Sequence, residues 1–105
     1  MPDANINIRD NVEKQRYESD LGDGTLATAE YHLQPGKIIF THTEVPAAHE
    51  GKGIGSALVR FALDAARDRG LMVVPTCPFF AVYMKKHQEV QDLLDPAYKS
   101  KHGLA

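Results

Sequence analysis

The chain has 105 residues, 43% of them hydrophobic, and a formal charge of −2. That suits one domain over residues 1–105, with an ordered core at about 12–95, as a monomer or weak homodimer. No basic stripe points to a nucleic-acid partner, the single cysteine excludes an internal disulfide, and no apolar run approaches the roughly 18 residues that would span a membrane.

The start, MPDANINIRD, is polar and is no secretory signal, so the cytoplasm is the default location. Ile6 and Ile8 alternate and predict a short edge strand or a ragged lead-in. Val12 to Ser19 reads as a polar strand anchored by Tyr17, and Asp20 to Gly24 as a turn. From Thr25 to Leu33 the alternation is clear. Ala27, Ala29, Tyr31 and Leu33 share one face, and Thr28, Glu30 and His32 the other. Gln34-Pro35-Gly36-Lys37 has the makings of a type II turn, so a second strand returns antiparallel from Lys37 to about Val45. Ile38, Ile39 and Phe40 are consecutive apolar residues and predict a central strand covered on both sides. Pro46 ends its pairing.

A helix is predicted from Gly53 or Ile54 to Arg69. Ile54, Leu58, Phe61, Ala62 and Ala65 form its apolar face, which Val59, Leu63 and Ala66 widen, and Gly70 ends it. Leu71 to Val74 then reads as a parallel strand after a right-handed crossover. Pro75 and Pro78 bracket Thr76-Cys77 and stop regular pairing. Pro78 opens a helix that includes residues 79–87, Glu89 to Leu94 adds one or two turns, Pro96 closes that element, and Tyr98 to Ala105 reads as a fraying tail. The sum is an α+β (α/β layered) fold: a mixed sheet, a central crossover helix and short C-terminal helices.

The chemistry gathers in THTEVPAAHEGKGIGSALVRFALDAARDRG, Thr41 to Gly70. Strand, glycine loop and helix in that order let bare backbone N–H groups hold an anion. The glycines at 51, 53 and 55 form neither a dinucleotide fingerprint nor a P-loop. Val73 and Val74 stand where a ribose-binding acid would fall, and Lys52 lies inside the run rather than before a Ser or Thr. What remains is a loop that a ligand backbone can approach closely, with Lys52 as a point charge and His49 as a donor; a pyrophosphate suits it.

Glu50-Gly51-Lys52-Gly53-Ile54-Gly55 resembles the Q/R-x-x-G-x-G/A loop of the GCN5-related N-acetyltransferases, the GNAT superfamily. HTEVP, HEGKGIGSALV and VVPTCPF are similar to a small truncated subgroup, the YjdJ-like domains, and the resemblance runs from Arg16 to Leu94. It implies a compact GNAT-like sheet and an acetyl-CoA (coenzyme A) site. The backbone of Glu50, Gly51, Lys52, Gly53, Ile54 and Gly55, with the first turn at Ser56, would hold the pyrophosphate. Thr43, Glu44 and Val45 would pair with the pantetheine arm. AVYMKKH partly resembles the A-x-x-F-Y-x-K-x-G-F pattern and puts Tyr83 near the thioester sulfur, with His87 where Gly-Phe would follow. Glu50 stands where Gln or Arg is usual, so backbone rather than that side chain is expected to bind phosphate.

Acetyl transfer to an amine needs a neutral amine, a polarised carbonyl and a thiolate that can leave. His42 and Cys77 end neighbouring parallel strands and are expected to lie close, as base and nucleophile; the resemblance carries the same two positions. Either Cys77 takes the acetyl group first, or it lines the thioester pocket while His42 acts as base. Tyr83 is the expected general acid and Glu44 an alternative base. No metal is expected, because the histidines fall at no ligand spacing. The expected function is transfer of acetyl from acetyl-CoA to a primary amine, small or a lysine. Glu44 and Glu50 favour a cationic acceptor. The alternative is a non-catalytic CoA-binding domain that acts through a protein partner.

Overall fold

The computed structural model describes residues 7–102. Among them, β1 (Arg9–Asn11), β2 (Arg16–Asp20), β3 (Leu26–Gln34), β4 (Lys37–Glu44) and β5 (Met72–Pro75) form one sheet, with the strands side by side in chain order. The first four pair antiparallel and β5 joins β4 in parallel. The crossover between β4 and β5 is α1 (Ile54–Asp68); α2 (Pro78–Lys86) and α3 (Pro96–Lys101) follow. This is the mixed sheet with a central helix that the sequence pattern predicts.

One face of the sheet carries the core. Tyr17, Ala27, Ala29, Ile38, Phe40 and Val73 are buried there with Leu58, Val59, Ala62, Leu63 and Ala66 of α1. Phe80 of α2 stacks on Phe40 with ring centroids 4.1 Å apart. Fully burying one such side chain contributes about 1.5–3 kcal/mol. α1 stops where Gly70 turns left-handed: Leu71 N–H bonds to Ala66 O at 2.9 Å and Gly70 N–H to Arg67 O at 3.1 Å, which satisfies carbonyls that the helix end leaves open.

The other face is polar and runs in cross-strand rows. Arg9, Glu18, Thr28 and Glu44 stand opposite one another in turn, as do Asn11, Arg16, Glu30 and His42. Glu18 is only 2% exposed, yet it carries a carboxylate. Burial pushes that carboxyl up, but hydrogen bonds from Arg16 and Asn11 and the charges of Arg16 and Arg9 outweigh it and hold Glu18 below its ordinary range.

Several expectations are corrected. Val12 to Gln15 is not strand but a tight turn closed by Gln15 N–H to Val12 O at 3.2 Å, with Gln15 at φ 53°. The edge strand sits after Ile8, at Arg9–Asn11, while Ile6 lies outside the described residues. Leu33 and Phe61 are 38% and 41% exposed rather than in the core. Leu33 lies near the turn end of β3, and Phe61, on the shoulder of α1, meets the Tyr17 ring edge-on, 5.7 Å between centroids. Pro96 opens a helix instead of closing one. It takes the first helical position, where a missing N–H costs nothing, and the Asp95 carboxylate accepts from Tyr98 N–H at 3.3 Å. Tyr98 to Lys101 is therefore helical, and residues 103–105 lie outside the described residues.

A bulge decides which way the end of β4 points. Tyr31 stands opposite Phe40 and Glu30 opposite His42, so Thr41 is left over. Without it, His42 would follow Ile38 and Phe40 onto the core face. With it, Thr43 joins Ala29 on that face, and His42 and Glu44 take the polar one.

Candidate active site

β4 and β5 stay paired only as far as Phe40 and Pro75. There the Phe40 carbonyl accepts from both Cys77 N–H and Thr76 Oγ1, each at 2.9 Å, which turns the chain out of the sheet and into α2. Beyond that point His42–Glu44 keeps its partners on β3 and has none on β5. The opening is a cavity of about 790 Å³, lined by His42 and Thr43 of β4, Cys77 before α2, Ser56 at the start of α1, and Phe79, Val82, Tyr83, Lys86 and His87 from α2 and its end.

The glycine loop meets this cavity at Ser56. Gly51 and Gly53 have φ of 82° and 79°, a conformation that any Cβ would strain. Gly53 is the N-cap of α1 and supplies no side chain to it, so the N–H groups of the first turn have no capping partner. Glu50, Gly51, Lys52 and Gly53 are exposed, whereas Ile54 is buried and can offer a ligand only its backbone. Gly55 has a different reason to be glycine: a Cβ there would stand 2.6 Å from Phe79 Cζ. The loop is tied to the β2–β3 turn, with His49 Nε2 2.8 Å from Asp23 Oδ2 and Lys52 Nζ 3.4 Å from His49 Nδ1. Hydrogen bonds from Thr25 and then His49 hold the Asp23 carboxyl well below its usual range. These uncapped donors, with Lys52 beside them and the free edge of β4 beyond, suit a pyrophosphate on an extended arm. Val45, just past β4, packs partly against the core.

Cys77 is the N-cap of α2 and 4% exposed. Its Sγ lies 3.3 Å from Thr43 Oγ1. The expected contact with His42 is thus replaced by one with Thr43, because the bulge at Thr41 exchanges the two side chains across the strand. His42 still borders the cavity, but its Nε2 is 3.5 Å from Glu44 Oε1 and more than half of its side chain is exposed. Tyr83 is half-buried. Burial pushes its phenol up, Arg60 pulls it partly back, and Glu89 and Asp64 push it up again, so it keeps its proton across the neutral range and is a donor. Sequence reasoning did not place His87 in the site. Its ring stacks on Tyr83 at 3.9 Å and 14°. The spacing of four residues from Tyr83 is the signal that could have found it.

Among the described residues no group of three His, Cys, Asp or Glu side chains is placed to hold a metal ion, and no helix is long and apolar enough to cross a membrane. In fold, the chain is similar to a GCN5-like protein of Staphylococcus aureus solved by NMR. The TM-score is 0.69 and the identity 23%, over 88% of this chain and 90% of that one. No curated protein matches. The family model described as GCN5-related N-acetyl-transferase matches residues 16–93, which takes in the sheet from β2 onward, the glycine loop and every side chain that borders the cavity. On that match the chain belongs to the GCN5-related N-acetyltransferase family.

Proposed function

We propose that this chain transfers the acetyl group of acetyl-CoA to the nitrogen of a primary amine, by direct attack. One observation carries the reading: the cavity where β4 and β5 part is lined both by Ser56, in the first turn of a helix without a side-chain cap, and by Tyr83, whose phenol keeps its proton. Membership of the family supports acyl transfer from an acyl-CoA in general, and the HTEVP, GKGIG and VPTCPF segments resemble its YjdJ-like subgroup.

The backbone of Glu50 to Gly55 and Ser56 binds the pyrophosphate, with Lys52 adding charge. The free edge of Thr43 to Val45 pairs with the pantetheine amides, as an added strand would. His42, beside Glu44 on the polar face, meets the amine as it arrives. Glu44 draws the cation, and His42 takes one proton from it so that nitrogen has a lone pair for attack. Tyr83 gives its proton to the departing thiolate. Cys77, buried and bonded to Thr43, forms the wall beside the thioester rather than an acetylated intermediate.

Calorimetric titration with acetyl-CoA tests the first half, with desulfo-CoA as the competing ligand. We expect one-site binding in the micromolar range that Gly53→Glu abolishes, since that change strains the left-handed position and sets a carboxylate in the phosphate site. No binding by folded protein would overturn the reading. Mass spectrometry of n-butylamine and of Nα-acetyl-lysine amide after incubation tests the second half. Binding without an acetylated product from either would leave a CoA-binding domain. A Cys77→Ala variant that loses turnover, together with an acetyl-cysteine adduct trapped in the wild type, would replace direct attack by a relay.

A further inference from the structure

A primary amine sheds two protons on its way to an amide. The first leaves the ammonium before attack; the second leaves the nitrogen once it is bonded to the acetyl carbon. His42 accounts for the first. No group in the acetyl-transfer reading takes the second, which departs in the cavity that Tyr83 borders.

His87 is placed for it. α2 ends at Lys86, and His87 leaves the helix with φ −121° and ψ 97°. Three carbonyls at that end are taken by side chains: Gln91 Nε2 donates to Met84 O and Lys85 O, each at 3.1 Å, and the His87 ring meets Tyr83 O at 2.7 Å through Nδ1. A carbonyl can only accept, so Nδ1 carries a hydrogen. The neutral ring then has its lone pair on Nε2, an atom with no hydrogen-bond partner among the described residues. His87 borders the same cavity as Tyr83, Lys86, His42, Thr43 and Cys77. The charged and titratable groups around the pair are Lys86 and Tyr83 from α2, Glu89 from the turn after it, Arg60 and Asp64 from α1, and His42 and Cys77 from the cavity lining.

We infer that His87 Nε2 accepts the second proton of the amine and returns it to Tyr83. The inference rests on the acetyl-transfer reading. The exchange balances. Nitrogen bonds to the acetyl carbon, the carbon–sulfur bond breaks, and sulfur leaves with the pair and takes the Tyr83 proton. Nitrogen gives its proton to His87, and the imidazolium passes that proton through cavity solvent to the phenolate stacked on it. Both side chains are then restored, and the one proton released to bulk is the one His42 took at the rim.

The experiment measures kcat against pH for the wild type, His87→Phe, which keeps a flat ring on Tyr83, and His87→Gln, with whichever of the two amines the wild type acetylates. We expect kcat to fall about a hundredfold in both variants. The acetyl-CoA Kd should stay within about twofold, and one rising step of the wild-type profile should vanish. Wild-type kcat and an unaltered profile in either folded variant would overturn the inference, since a residue that only closes the helix end would leave the profile in place. Ring ¹⁵N shifts of the wild type provide a test without substitution: the hydrogen is expected on Nδ1, and finding it on Nε2 would overturn the inference. A wild type that binds acetyl-CoA and acetylates neither amine refutes the acetyl-transfer reading itself, a result distinct from either of these.

Discussion

β4 is one strand with two halves that do different work. Lys37 to Phe40 is paired on both sides, and Ile38 and Phe40 are buried in the core. Past Thr41, His42 to Glu44 is paired on one side only and borders the cavity at His42 and Thr43. The bulge at Thr41 and the end of β5 pairing at Phe40 fall together, so the strand leaves its parallel neighbour at the residue where its faces are exchanged. The site needs no separate scaffold: the half that holds the core positions the half that is free.

The largest expected effect tests that division directly. Phe40→Ala removes the ring stacked on Phe80 and should cost about 3–5 kcal/mol in urea unfolding. Thr43→Ala, three residues on, should cost less than about 1 kcal/mol. Equal costs would break the comparison.

Acid sharpens it along the row that joins Glu18, through Thr28, to Glu44. Glu18→Gln should lose about 1–3 kcal/mol at neutral pH, because it leaves Arg9 and Arg16 without their carboxylate. The Glu18 carboxyl is lowered in the folded state, so its stabilisation is full above the ordinary carboxylate range and lost as pH falls through the folded value. Unfolding curves of wild type and variant should therefore converge in acid. Glu44→Gln should leave stability within about 0.5 kcal/mol and raise KM for a cationic amine instead. The smallest effect is expected from Thr43→Val, which keeps volume and removes only the hydroxyl 3.3 Å from Cys77 Sγ. The alkylation rate of Cys77 by iodoacetamide should change about threefold, with the melting temperature nearly unmoved.

What the sequence made legible follows the same line. The alternation at Ala27, Ala29 and Tyr31, the Pro35-Gly36 turn and the helical period from Ile54 to Ala66 are local patterns, and local patterns fixed the core half. The glycine loop and Pro78 marked the starts of α1 and α2 for the same reason. The Thr41 bulge has no local signature, since neither Thr nor His demands an extra residue in a strand. One unpaired residue nevertheless decides whether His42 or Thr43 meets Cys77. His87 carries no such local signal because its place depends on where a helix ends, and the sidestep at residue 87 is set by Gln91 and the turn beyond it. Phe61 and Leu33 keep the period yet stay exposed, because a periodic face can run wider than the surface that covers it.

The sheet's strands stand in the order in which they are made. On a ribosome, β1 to β4 can therefore fold as a meander while α1 and β5 are still unmade. Until Met72–Pro75 emerges, that meander exposes Ala27, Ala29, Ile38 and Phe40 and an open edge along Lys37–Phe40, the surfaces on which nascent chains stick to one another. Stalled chains that end before Met72 should bind a dye for apolar surface, and full-length chains should not. The vulnerable interval of this protein's life is then the time needed to translate from the end of β4 to the end of β5.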